Sequence, residues 1–177
     1  MQKDKVRFLT YAAMYTALYV ILKFVGNMIP FLQMPQGGSI ELELLALFMA
    51  SYHLGAKGGI LVAFLSWLIT YILSVPMYFV HPIQILLDYV LPLGIIACAS
   101  LLPKRFQISI IIPMLLKYVV HVLSGVYYWP PKGEAAGSVA AWVFSLNYNA
   151  WYNLATMIVC LLVVPVLWNR VKQIAKN

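Results

Sequence analysis

The sequence predicts an all-α integral membrane protein, a six-transmembrane-helix bundle forming one domain over residues 1–177. Three observations predict it. Hydrophobic residues make up 63% of the chain and charged residues 10%, where an ordinary soluble domain carries about 25% charge. The apolar residues fall into long runs, near the ~20 residues a helix needs to cross a hydrocarbon core. Lysine and arginine gather in alternate connectors, which is the orientation signal of a multi-pass membrane protein. The runs are too long, and alternate too little, for barrel strands.

The first span, about Arg7–Gly26, follows a short polar start and lacks a small-residue cleavage site, so it reads as a retained helix and not a signal peptide. Its Ala12, Ala13, Thr16 and Ala17 place small residues four apart, which lets another helix approach closely. The connector over residues 27–39 is broken by Pro30, Pro35, Gly37 and Gly38 and reads as an irregular loop. A short second span, Ile40–Leu54, opens with Glu41 and Glu43, and the third runs over Gly58–Val75. The fourth, Pro82–Leu102, carries His81, Gln84 and Asp88 at i, i+3 and i+7, with Tyr89 following; Asp88 reads as the one acidic residue deep inside a span.

The fifth span, Ile108–Tyr128, bears the least expected pattern. Lys117, His121 and Gly125 recur every four residues, Ser124 falls on the same face, and Trp129 closes the stretch before two prolines. A charge inside a membrane is costly and usually faces a cavity or a partner, so this face reads as the wall of a polar cavity. Asp88 lies about 8 Å and Lys117 about 18 Å below the ends of their helices, at 1.5 Å per residue. A lysine stem can extend toward water, so the two can meet directly or bracket a ligand. The sixth span, Val139–Trp168, adds Trp142, Ser145, Tyr148, Asn149, Tyr152 and Asn153. Asn149 reads as a cavity residue and Asn153 as a helix–helix contact.

Lys3, Lys5, Arg7, Lys57, Lys104, Arg105, Arg170, Lys172 and Lys176 fall on one side of a six-span topology and only Lys132 on the other, which predicts both termini in the cytoplasm of a cell-membrane protein. The net charge of +7 is thereby a topology and lipid-contact signal, and nucleic-acid binding is not needed to explain it. Cys98 and Cys160 lie in apolar runs with no metal-ligand spacing. No phosphate-binding loop, nucleophile elbow or paired-carboxylate motif is present, and no metal or cofactor is expected. Aromatic faces beside one carboxylate suit a small heteroaromatic cation. Another reading uses Asp88, Lys117 and His121 as the acid–base groups of an intramembrane enzyme.

Four stretches resemble a known family: Met34-Pro35-Gln36-Gly37-Gly38-Ser39; His81 through Tyr89; Lys117-x3-His121-x3-Gly125-x3-Trp129; and Ser145 through Asn149. Along its whole length the chain is similar to the ThiT/YuaJ family, the thiamine-specific substrate-binding (S-)components of energy-coupling factor transporters. The resemblance implies six helices and a thiamine site near the outer surface, capped by the first loop with Gln36, Gly37, Gly38 and Ser39. It implies that Asp88, Tyr89, Lys117, His121, Gly125, Trp129 and Asn149 form the pocket, with Asp88 where relatives often have glutamate; Gln84, on the helical face of Asp88, and Tyr148, beside Asn149, are further candidate substrate-binding residues. Phe144 stands where a family member has tyrosine. The resemblance further implies that Ala13 and Ala17 dock on a transmembrane coupling subunit, itself joined to two ATPases, and that substrate is carried unchanged. Another vitamin, or a thiamine precursor such as the hydroxymethylpyrimidine, is an alternative cargo for the same fold.

Overall fold

The computed structural model describes residues 2–34, 37–103 and 105–174. Gln36 of the expected lid, with Pro35 beside it, and Lys104 and Lys176 of the charge pattern lie outside the described residues. Among the described residues, five helices are long and apolar enough to cross a membrane: α1 (Gln2–Met28), α2 (Leu44–Ile72), α3 (Pro82–Leu101), α4 (Phe106–Tyr128) and α5 (Val139–Ile174).

The second and third expected spans form the single element α2, but Gly55 inside it is non-helical at φ 72°, ψ 177°. That conformation favours glycine. A Cβ on Gly59 would lie 3.2 Å from the Cα of Ser51, eight residues earlier, whereas a continuous helix separates such positions by about 12 Å. The two arms of α2 therefore fold back on one another at Gly55. Close approach also joins α2 to α3: a Cβ on Gly59 would meet the Ala97 carbonyl at 2.5 Å, and that carbonyl accepts the Ser51 hydroxyl at 2.6 Å.

α3 is irregular where it matters. Its first turn, Pro82–Ile85, is α-helical; Leu86–Val90 is a π turn; Leu91–Ala97 is α-helical again. Pro92 has no N–H to give the Asp88 carbonyl, and the Leu91 N–H reaches back five residues to the Leu86 carbonyl. The π turn carries Asp88 and Tyr89.

Apolar side chains also cover the outside of the bundle, and polar ones are buried within it. Large apolar side chains such as Leu9, Ile72, Val119 and Leu162 face outward, while Ser51, Gln84, Lys117 and Thr156 are fully buried. This is the arrangement a hydrocarbon solvent selects. An apolar core built around Phe48, Leu44, Ile96, Ile110 and Met114 occupies the middle of the bundle, and a smaller pocket lined by Tyr52, Phe106 and Trp168 lies toward the end bearing the Lys57 and Arg105 connectors. The opposite end, where the connectors over 29–43, 73–81 and 129–138 gather, holds a cavity. Of the spans as expected, the first, fourth, fifth and sixth coincide with α1, α3, α4 and α5 apart from their ends. α5 runs to Ile174, 36 residues and about 54 Å, longer than a hydrocarbon core is thick.

Candidate functional site

The cavity, together with the open space at its mouth, spans about 1070 Å³ and is walled by α1, α2, α3, α4, α5 and residues of all three connectors. His121 and Gly125 of α4 line it, and so does Trp129, the first residue after that helix. Gly125 is required by α5: a Cβ there would strike the Ser145 hydroxyl, which donates to the Val122 carbonyl at 2.8 Å. Asn149 and Tyr148 line the same cavity, with Phe144 stacked on Tyr148 at 5.9 Å between ring centroids.

Asp88 and Tyr89 face the cavity from the π turn of α3. Gln84 does not line it; it lies behind Asp88, fully buried, and its side-chain amide donates to Asp88 Oδ2 at 3.0 Å. His81 is turned away, capping α3 by accepting the Ile83 N–H and stacking on Tyr128.

Lys117 also lies beneath the cavity and not in its wall. It does not reach Asp88: its ammonium pairs with Glu41 at 2.5 Å and donates to Asn153 Oδ1 at 2.8 Å. A second pair joins the half-buried Lys23 of α1 to the buried Glu43 at 2.7 Å. Asp88 is thus not the one acidic residue inside; Glu43 is 2% exposed. The turn over residues 41–43 ahead of α2 folds inward because both carboxylates have a lysine to meet, and an unpaired charge there would be prohibitive. With two lysines matched by two glutamates, Asp88 remains the carboxylate held by a neutral amide.

His121, Tyr152 and Asn149 form a chain. His121 Nδ1 lies 2.9 Å from the Tyr152 hydroxyl, which donates to Asn149 Oδ1. The Asn149 amide in turn donates to the Ser145 carbonyl at 2.9 Å. Since the amide nitrogen is committed there, its oxygen must face Tyr152, and the network fixes the ring orientations.

Of the expected lid, Gly37, Gly38 and Ser39 line the cavity. The loop is closed by a Gln33–Ser39 bridge and by the Met34 N–H on the Gly38 carbonyl. Gly38 donates its N–H to the Tyr148 hydroxyl at 3.1 Å, and a Cβ there would press on Tyr148 and Tyr152. Gly37 sits at φ 96° against the ring of Tyr78. Ala13 and Ala17 are exposed on α1, away from the buried face formed by Ala12, Thr16 and Tyr19.

Sequence reasoning missed Tyr19, Lys23, Glu41, Trp67, Tyr78 and Tyr152 as lining residues. Tyr19 and Lys23 stand at i and i+4 of one helix, a signal available from spacing. Tyr78 lies in a connector, where no periodicity marks it.

The model of the thiamine transporter protein family (Thia_YuaJ) matches residues 9–176. The thiamine transporter ThiT of Bacillus subtilis strain 168 is 31% identical over 194 residues, covering 99% of this chain and 96% of that protein. A solved structure of ThiT from Listeria monocytogenes superposes with a TM-score of 0.78 over 96% of this chain and 97% of that one, at 19% identity, which is a likeness of fold.

Proposed function

This chain belongs to the thiamine transporter protein family, and on that premise we propose that it is the thiamine-binding S-component of an energy-coupling factor transporter. The observation that carries the proposal is the cavity. It joins one carboxylate without a cationic partner, Asp88, to a wall of aromatic rings that includes Trp129, Tyr148 and Phe144. Thiamine bears one fixed positive charge on a flat ring and an aminopyrimidine. Asp88 supplies the counter-charge, the rings supply faces for a cation and for stacking, and Asn149 with His121 supplies groups to read the pyrimidine. Gly37, Gly38 and Ser39 cover the bound cargo.

Nothing in the site performs chemistry on the cargo. Lys117, which an acid–base reaction would need beside Asp88, is taken up by Glu41 and Asn153. Specificity without turnover is the role.

We read the two arms of α2 as the second and third of six spans. That count returns both termini to one side, which the lysine and arginine bias assigns to the cytoplasm, and it opens the cavity outward. The exposed small-residue face of α1 around Ala13 and Ala17 is the surface for the transmembrane coupling subunit that two ATPases drive. Ligand shifts such an assembly only through its different affinity for the two states.

The test is a tryptophan-fluorescence titration of the purified protein with thiamine, its phosphates and the hydroxymethylpyrimidine. Saturable one-to-one quenching by thiamine, with the ligand recovered chemically unchanged, is expected. Tighter binding of the pyrimidine than of thiamine would transfer the role to precursor uptake, and conversion of the ligand would make the protein an enzyme.

A further inference from the structure

We propose that Gln84 and Tyr89 are positioning residues that tie Asp88 to the connector over residues 73–81, and that this connector, clamped on Gly37 through Tyr78, sets how long the ligand stays bound. The proposal rests on the thiamine reading above.

Gln84 has two ends and uses both. Its amide nitrogen donates to Asp88 Oδ2 at 3.0 Å, and its amide oxygen accepts the Val80 N–H at 2.7 Å. The orientation is forced, because a carboxylate can only accept and a backbone N–H can only donate. Full burial removes competing water. The carboxylate that faces the cavity is therefore connected through one side chain to the backbone of the connector.

Tyr89 makes the second tie. Its ring lines the cavity, but its hydroxyl is engaged elsewhere: it accepts the Tyr78 N–H at 2.8 Å and donates to the Tyr78 carbonyl at 3.3 Å. Its proton and one lone pair go to a single backbone unit, so the hydroxyl acts on the connector. The held residue, Tyr78, places its ring against Gly37, where the positive φ and the contact together admit only glycine. A continuous path thus runs from the cavity wall through Tyr89 and Tyr78 to the first loop.

The connector needs such ties. Residues 75–79 have no helical or strand hydrogen bonding, and Tyr78, Phe79 and Val80 are all exposed. Apart from the Val75 N–H on the Thr70 carbonyl, the bonds described between 75 and 80 come from Gln84 and Tyr89.

The experiment is stopped-flow thiamine binding and release on wild type, Tyr89→Phe, Tyr78→Ala, the double variant and Gln84→Met, with amide hydrogen exchange at Tyr78 and Val80 in ligand-free protein. Tyr89→Phe keeps the ring in the wall and removes only the hydroxyl. Its release rate is expected to rise about tenfold with association nearly unchanged, as loss of two hydrogen bonds from a closing element implies. Tyr78→Ala is expected to do the same, and the double variant to be no faster than the faster single one. Exchange at the Tyr78 and Val80 amides is expected to accelerate in Tyr89→Phe and Gln84→Met respectively. Release within about twofold of wild type in Tyr89→Phe, or additive effects of the two tyrosine changes, would overturn the proposal. If wild type binds no thiamine, the thiamine reading falls, and unaltered exchange at both amides then overturns the connector ties as well.

Discussion

The ammonium of Lys117 stands 2.5 Å from a carboxylate oxygen of Glu41, which belongs to the turn leading into α2, while Asp88 is left to the neutral amide of Gln84. A lysine in mid-helix is thereby neutralised by one wall carboxylate, Glu41, while the other, Asp88, is held by a neutral amide.

Removing Glu41 leaves the fully buried Lys117 ammonium without its carboxylate, and removing Lys117 leaves Glu41, at the cavity, without its cation. Lys117→Met is expected to destabilise the protein by about 3–5 kcal/mol, and the double variant Lys117→Met, Glu41→Gln to recover much of the loss. Thermal unfolding in detergent, compared across the two singles and the double, measures it.

Gly125 permits α4 and α5 to close on Ser145. Gly125→Ala is expected to cost about 1–3 kcal/mol through overpacking and to weaken thiamine binding, because Asn149 shares the contact. Adding Ser145→Ala removes the obstructing hydroxyl and is expected to restore part of the affinity, read by the same titration on both proteins.

Trp129 is a wall residue at the mouth of the cavity. Trp129→Ala is expected to weaken thiamine by about 1–3 kcal/mol and Trp129→Phe by less, since a smaller aromatic face remains. Isothermal titration provides the readout, because quenching would lose its reporter.

The exposed alanines of α1 lie apart from the cavity. Ala13→Trp and Ala17→Trp are expected to leave thiamine affinity of the isolated protein unchanged while abolishing uptake in cells that supply the coupling subunit and ATPases. Binding and uptake measured on the same variants separate the two roles.

The helices were legible because each is a long apolar run, and the α4 face because Lys117, His121, Gly125 and Trp129 obey the period of a helix. The fold-back at Gly55 was visible as a short connector, since glycine is cheap where φ is positive. The π turn was not legible: its five residues read as helix, and Pro92 alone does not announce where the ladder will slip. The partner of Lys117 was not legible either. Helical spacing orders residues within one element, whereas Glu41 reaches Lys117 only because a connector folds inward, and nothing in either stretch records that register. Tyr78 escaped for the same reason.

The central claim is that the unneutralised carboxylate of Asp88 holds a positively charged vitamin that leaves unchanged. The most direct measurement is the affinity of wild type and Asp88→Asn for thiamine and for an isostere whose thiazolium ring is replaced by an uncharged one. The account expects Asp88→Asn to lose about 2–5 kcal/mol toward thiamine and much less toward the neutral isostere. Equal losses toward both ligands, or thiamine bound as tightly by Asp88→Asn as by wild type, would contradict it.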